Sequence, residues 1–313
     1  MECENDTAPM EFILAGIPYP QELKIPFFLL FLLIYLLTLF GNTLILFAVA
    51  SEPQLHKPMY WFLCHLSILD MTASSVVEPK LIAGFVESRR AISFKGCVTQ
   101  LFFYHFLGCA QCFLYTVMAF DRFLAICRPL HYVTIMNRRS CLFLSLGTCI
   151  GGCIHSFIET GLTFRLPYGR VNEVGGIFCE IRAMLKLACA DTMVNEITTM
   201  LDVGLVTMTC FLLILTSYVY IVSAILKIRT ADGRRRAFST CTVHLILVVL
   251  FYVPVVFNYL GSGSEDTLDG MVVSLFFTAV TPLLNPIIYT LRKEDMKRAL
   301  NKLMGRKVDP EKN

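Results

Sequence analysis

Seven long apolar stretches constrain this chain more than any other feature. They run over residues 25–50, 58–86, 97–127, 140–164, 192–227, 237–260 and 271–291, each rich in Leu, Ile, Val and Phe and without the alternation of a barrel strand. About 20 apolar residues in helical form cross the roughly 30 Å hydrocarbon core of a bilayer, and a backbone in lipid must satisfy its own hydrogen bonds. The pattern predicts an all-α membrane protein, a seven-transmembrane helix bundle occupying residues 25–291. Composition agrees, since 56% of the 313 residues are hydrophobic, 16% are charged and mean hydropathy is +0.63. A surface that water must wet is not built from that mixture.

The flanks are short. Residues 1–24 are polar and acidic and lack a basic n-region, so they read as an extracellular N-terminus rather than a cleaved signal peptide. Residues 292–313 read as a short amphipathic C-terminal helix and tail, with Met296 and Leu300 one turn apart. The side holding residues 51–57, 128–139, 227–236 and 292–313 carries seventeen lysines and arginines, against eight on the other. The positive-inside rule puts that side, and the C-terminus, in the cytoplasm. Asn5-Asp6-Thr7 is then a glycosylation acceptor in the correct compartment. The net charge of +3 reports this cytoplasmic rim and implies no nucleic acid.

Most of the thirteen cysteines fall within apolar spans, where they pack as small side chains. Cys97 opens the third span, while Cys179 and Cys189 lie in the long loop 165–191 on the oxidising side. A Cys97 to Cys179 bridge would tie that loop over the bundle. Cys189 is left without an obvious partner, with Cys3 the other external candidate.

Charged residues inside the spans are Asp70, Glu78, Lys80, Asp121, Arg122, Glu159, Glu196 and Asp202. A charge at mid-bilayer costs about 2.5 to 3.5 kcal/mol on insertion scales, so each is a functional candidate. Glu78, Lys80, Glu159 and Glu196 lie nearer helix ends, where snorkelling accounts for them. Asp70 and Asp202 lie deeper and should face the bundle interior. Asp121 and Arg122 come 24 residues after Cys97, roughly one membrane thickness at 1.5 Å per residue. An arginine there can pair with its neighbour or release to meet a cytoplasmic partner, which suits a switch.

Asn42, Asp70, the DRF at 121–123 and the NPIIY at 285–289 resemble the rhodopsin-like G-protein-coupled receptors. More narrowly, KPMYWFLCHLSILD (57–70), MAFDRFLAICRPLHY (118–132), the SY at 217–218, RRAFSTCTVH (235–244) and PLLNPIIY (282–289) resemble the odorant receptor signatures, spread over essentially the whole chain. Departures are Phe123 for the family's tyrosine, Arg236 for its lysine, Val243 for its serine and Gly169 near its additional loop cysteine.

The resemblance implies roles. Arg122 would engage a heterotrimeric G protein of the stimulatory olfactory type, raising cAMP, with Asp121 restraining it at rest. Tyr218 and Tyr289 would swing inward, Arg236 would belong to the coupling face, and Pro254 and Pro286 would act as hinges. Asn42, Asp70 and Asn285 would form a polar core with Tyr289, with a sodium site at Asp70. A small volatile, mostly apolar odorant would bind in the outer half of the bundle. The candidate residues there are Tyr104, His105, Gly108, Cys109 and Cys112, facing Asp202, Val203 and Val206. Tyr252, Val255, Val256 and Tyr259 would line a further wall, with Leu275 and Thr278. His105, Cys109 and His155 are candidate ligands for a soft metal. No cofactor is implied; membrane lipids are the remaining partner. The expected location is the plasma membrane of olfactory cilia.

Other classes fit less well. A transporter's inverted repeat is absent, and the His, Asp and Glu residues give no clustered nucleophile and base. A rhodopsin-like receptor for a non-odorant small metabolite is the alternative, because fold does not define ligand.

Overall fold

A computed structural model describes residues 11–87, 89–169, 171–260 and 268–303. Its long helices are α1 (Lys24–Ser51), α2 (Pro58–Val86), α3 (Phe94–Cys127), α5 (Arg138–Phe164), α7 (Met193–Leu226) and α8 (Ala231–Leu260). The last crossing is composite: α9 (Leu268–Leu275) passes through a π turn (Phe276–Val280) into α10 (Thr281–Arg292). Short α4 (Pro129–Ile135) and α6 (Ile181–Leu187) lie in connections, and α11 (Glu294–Leu303) follows α10. Six segments are long and apolar enough to cross a membrane among the described residues. The seventh, α2, is less apolar because it carries His65, Asp70, Glu78 and Lys80, yet 29 residues of helix reach about 43 Å, and it packs against α1 and α3.

The apolar exterior is that of a bundle solvated by lipid. On α1, Leu29, Leu33, Leu36 and Phe40 are exposed, whereas Thr38, Asn42, Ile45 and Val49 face inward at helical spacing. The central helix is α3, packed against α2, α5, α7 and α8. Its approach to α5 is close enough that a Cβ at Gly152 would lie 2.8 Å from the Phe106 carbonyl oxygen. Such small-residue contacts are how helices pack where lipid removes the hydrophobic drive.

One end of the bundle carries a cap, and here residues 11–14 form a strand within the segment expected to be polar. β1 (Glu11–Leu14) lies between β2 (Ala91–Ser93), antiparallel, and β3 (Glu173–Val174), parallel. The alternation of EFIL sends Phe12 and Leu14 inward against Cys97, Tyr168 and Met184. Cys97 and Cys179 form a disulfide with Cα atoms 5.5 Å apart. Gln100 reinforces it, accepting from the Cys179 N–H at 3.0 Å and donating to the Val76 carbonyl at 3.0 Å. Cys189, for which the sequence offered no obvious partner beyond Cys3, is itself disulfide-bonded. Asn5 lies outside the described residues.

Candidate functional site

Below the cap is a cavity of about 80 Å³ between α3, α5, α7, α8 and α9 with its π turn. Eight expected residues line it: Tyr104, His105, Gly108, Cys109 and Cys112 from α3, Val203 and Val206 from α7, and Val255 from α8. The helical spacing of these positions puts them on one face of each helix.

The other expected residues stand elsewhere. Asp202 is behind the lining, its Oδ2 2.8 Å from His155 Nδ1. Tyr252 is turned away, its hydroxyl 3.2 Å from Cys112 Sγ, and Val256 is 43% exposed on the outer face. The inward face of α8 is instead Phe251, Pro254 and Val255, one residue earlier than expected. Leu275 packs in a separate apolar cluster with Phe31, Phe85 and Phe178. The Thr278 hydroxyl donates to the Ser274 carbonyl at 2.8 Å. The π turn at Phe276–Val280 inserts extra backbone and rotates the helix, so Val273, Ser274 and Phe277 face the cavity. Thr207, one turn from Val203, also lines it, and the i, i+4 rule could have found it. The side chain of Tyr259 lies outside the described residues.

The soft-metal expectation gains no support. His155 lines the cavity with His105 and Cys109, its ring centroid 6.3 Å from that of His105 and its Nδ1 2.8 Å from Asp202 Oδ2. No group of three or more His, Cys, Asp or Glu among the described residues could hold a metal.

Midway along the bundle, Asp70 accepts from Gln111 Nε2 at 2.8 Å and from Asn285 Nδ2 at 2.7 Å. Asn42 Nδ2 donates to the carbonyls of Thr38 and Pro282, at 3.0 and 3.2 Å. Each Asp70 oxygen is thus held by an amide donor from a different helix, which ties α2 to α3 and α10.

At the far end Asp121 and Arg122 are both buried. Arg122 donates to Asp121 Oδ2 through Nη2 and, at 3.0 Å, through Nε. The second oxygen, Oδ1, accepts from the Tyr132 hydroxyl of α4 at 2.8 Å. The pair lines a small cleft with Met118, His244, Tyr289 and Lys293. Lys293, just beyond α10, is pulled down to about 8 by burial and then by the Arg122 guanidinium. His244 Nε2 lies 3.0 Å from the Tyr115 carbonyl oxygen, which can only accept, so Nε2 carries the proton. Its Nδ1 then accepts from the Tyr218 hydroxyl at 2.8 Å. Tyr289 is buried and Pro286 lies within α10, while the Arg236 side chain lies outside the described residues. Tyr132 and His244 were not singled out in the sequence, although both lie in the signature stretches.

A seven-helix bundle with a lined cavity under a disulfide-tied cap, and a buried acid–arginine pair at the opposite end, has the architecture of a membrane receptor. The sequence profile described as Olfactory receptor matches residues 31–307. Olfactory receptor 10G6 of Homo sapiens is 57% identical over 98% of this chain and 92% of its own length. Olfactory receptor 10G2 of Homo sapiens is 54% identical over 95% and 96%, and olfactory receptor 10D1B of Mus musculus 50% over 95% and 95%. The chain belongs to the olfactory receptor family. It is accordingly an odorant receptor of the G-protein-coupled type and a multi-pass plasma-membrane protein, and not an enzyme.

Proposed function

We propose that the cavity under the cap takes a small volatile, mostly apolar odorant, and that the Asp121–Arg122 end passes the signal to a stimulatory olfactory-type G protein that raises cAMP. On this reading the cap and Asn5 are extracellular, the Asp121–Arg122 end is cytoplasmic, and the receptor works in the cilia of olfactory sensory neurons. The lining supports the ligand class: valines and aromatic rings dominate, with Thr207, Ser274 and His105 as polar anchors.

One observation carries the reading, a run of contacts from cavity to cleft. Phe251 lines the cavity and its ring centroid is 5.0 Å from that of Tyr115. Tyr115 holds His244 through its carbonyl, and His244 holds Tyr218. The cavity, about 80 Å³, is smaller than the roughly 150 Å³ that accommodates benzene. A ligand of that size therefore displaces Phe251 or Phe277, and motion at Phe251 loads the contact between α8 and α3. Arg122 then leaves Asp121 for the G protein.

The test is a cAMP assay in cells carrying the olfactory stimulatory G protein. Volatile aromatics, aldehydes, esters and thiols are applied to wild type and to Arg122→Ala confirmed at the cell surface. A dose-dependent rise that is lost in Arg122→Ala is expected; an undiminished response in that variant overturns the coupling role.

A further inference from the structure

A second recess is far larger than the odorant cavity. A groove of about 560 Å³ opens between α1, α2 and the beginning of α5, at the Asp121–Arg122 end. Its walls are Leu46 and Val49 of α1, Trp61 and Cys64 of α2, and Cys141 of α5. Where the helices end it is bordered by Lys57, the residue before α2, and Arg138, the first residue of α5. No acidic side chain is among its lining residues.

The two cations are exposed, and the one acid that reaches either of them pairs loosely with Lys57 among the described residues. Lys57 reaches Asp295 only at 3.5 Å, with its side chain 60% exposed, and Arg138 is exposed. His56, also at the border, is committed instead, its Nε2 lying 3.0 Å from the Val49 carbonyl oxygen. Trp61 has its indole N–H bonded to Ser145 Oγ at 3.0 Å and is 37% exposed, the amphipathic posture of a ring near a membrane interface.

An apolar slot on the outside of a membrane bundle, bordered at its headgroup end by two exposed cations and lined by no acid, is complementary to one kind of membrane component. We infer that this groove binds an anionic glycerophospholipid, with the phosphate between Lys57 and Arg138 and one acyl chain along Leu46, Trp61 and Cys141. The inference rests on the reading that this end is cytoplasmic, where anionic lipids concentrate. A zwitterionic phospholipid brings the same phosphate but also its own cation, so it offsets less of the charge of Lys57 and Arg138, and a sterol hydroxyl would not need them.

The experiment is native mass spectrometry of the purified full-length receptor titrated separately with dioleoyl phosphatidylserine, dioleoyl phosphatidylcholine and cholesterol. One phosphatidylserine should be retained at concentrations about tenfold below those needed for phosphatidylcholine. Each basic residue near an anionic surface contributes roughly fivefold, so Lys57→Gln combined with Arg138→Gln should weaken retention about twentyfold. Leu46→Trp, which fills the slot and leaves both charges, should also release the lipid. Arg234→Gln with Arg235→Gln removes equal charge elsewhere and should change nothing. Equal loss in the two double variants would reduce the effect to diffuse surface charge and overturn the site. So would equal retention of phosphatidylcholine, or displacement of phosphatidylserine by cholesterol. The measurement uses no agonist, G protein or membrane asymmetry, so its failure is separate from failure of the proposed signalling or topology.

Discussion

Tyr218 donates its hydroxyl to His244 Nδ1 at 2.8 Å, and through the other ring nitrogen of His244 the two helices α7 and α8 are tied to the Tyr115 carbonyl of α3. Three helices thus meet on one buried imidazole, which lines the cleft that holds Arg122.

His244→Phe keeps a ring of similar size and removes both bonds. Each is worth about 0.5 to 1.5 kcal/mol, so the variant should unfold several degrees lower. With α8 released from α3, agonist-independent cAMP should rise at matched surface expression. Unchanged basal cAMP would mean that the imidazole does not restrain the resting bundle.

Tyr132→Phe removes the hydroxyl that Asp121 Oδ1 accepts while leaving the Arg122 pair in place. Basal cAMP should rise about tenfold, since a hydrogen bond to a charged group is worth about 1.5 to 3 kcal/mol. Asp121→Asn, which weakens the pair itself, should raise it further. The comparison at equal surface level ranks the two restraints on Arg122.

The seven crossings were legible because a membrane demands long apolar runs, and the sequence spans fall close to the helices observed. The largest offset is at α8, which starts at Ala231 rather than 237, because the basic Arg234–Arg235 stretch is helical beyond the apolar run. Which face each helix presents was harder to read. A 3.6-residue period fixes a face to about one position, so Phe251 and Pro254 were missed for Tyr252 and Val256. The π turn carries no residue-type signal, so the wall formed by Ser274 and Phe277 was not foreseeable. The strand EFIL is too short for periodicity to mark, and its partners are about 80 and 160 residues away. Gln111, which completes the Asp70 site, is an ordinary polar residue until α2 and α3 are brought together.

Gly152→Ala should be disruptive, because its Cβ would meet backbone: the Phe106 carbonyl oxygen at 2.8 Å and the Ala110 nitrogen at 3.1 Å. Forcing α3 and α5 apart should cost about 1 to 3 kcal/mol and lower surface expression. At Gly161 an added Cβ meets nothing within 4 Å, so Gly161→Ala should express as wild type. Flow cytometry of the tagged receptor separates the two.

Phe12→Ala tests the cap. The ring is wholly buried against Phe94 and Tyr168, with centroids 5.9 Å from each. Its loss should cost up to about 3 to 5 kcal/mol and reduce surface delivery, despite lying before the first crossing. Glu22→Ala, on the exposed turn preceding α1, should have no such effect.

The most direct test of ligand binding in the cavity compares two neighbouring valines of α8. Val255 lines the cavity, whereas Val256 points outward and is 43% exposed. Agonist dose–response curves are measured for Val255→Phe and Val256→Phe at matched surface expression, using whichever volatile activates wild type. A ligand held between α3, α7 and α8 predicts that Val255→Phe shifts the half-maximal concentration at least tenfold or abolishes the response, with Val256→Phe close to wild type. Equal shifts in both, or none at Val255→Phe, would contradict a binding site in this cavity.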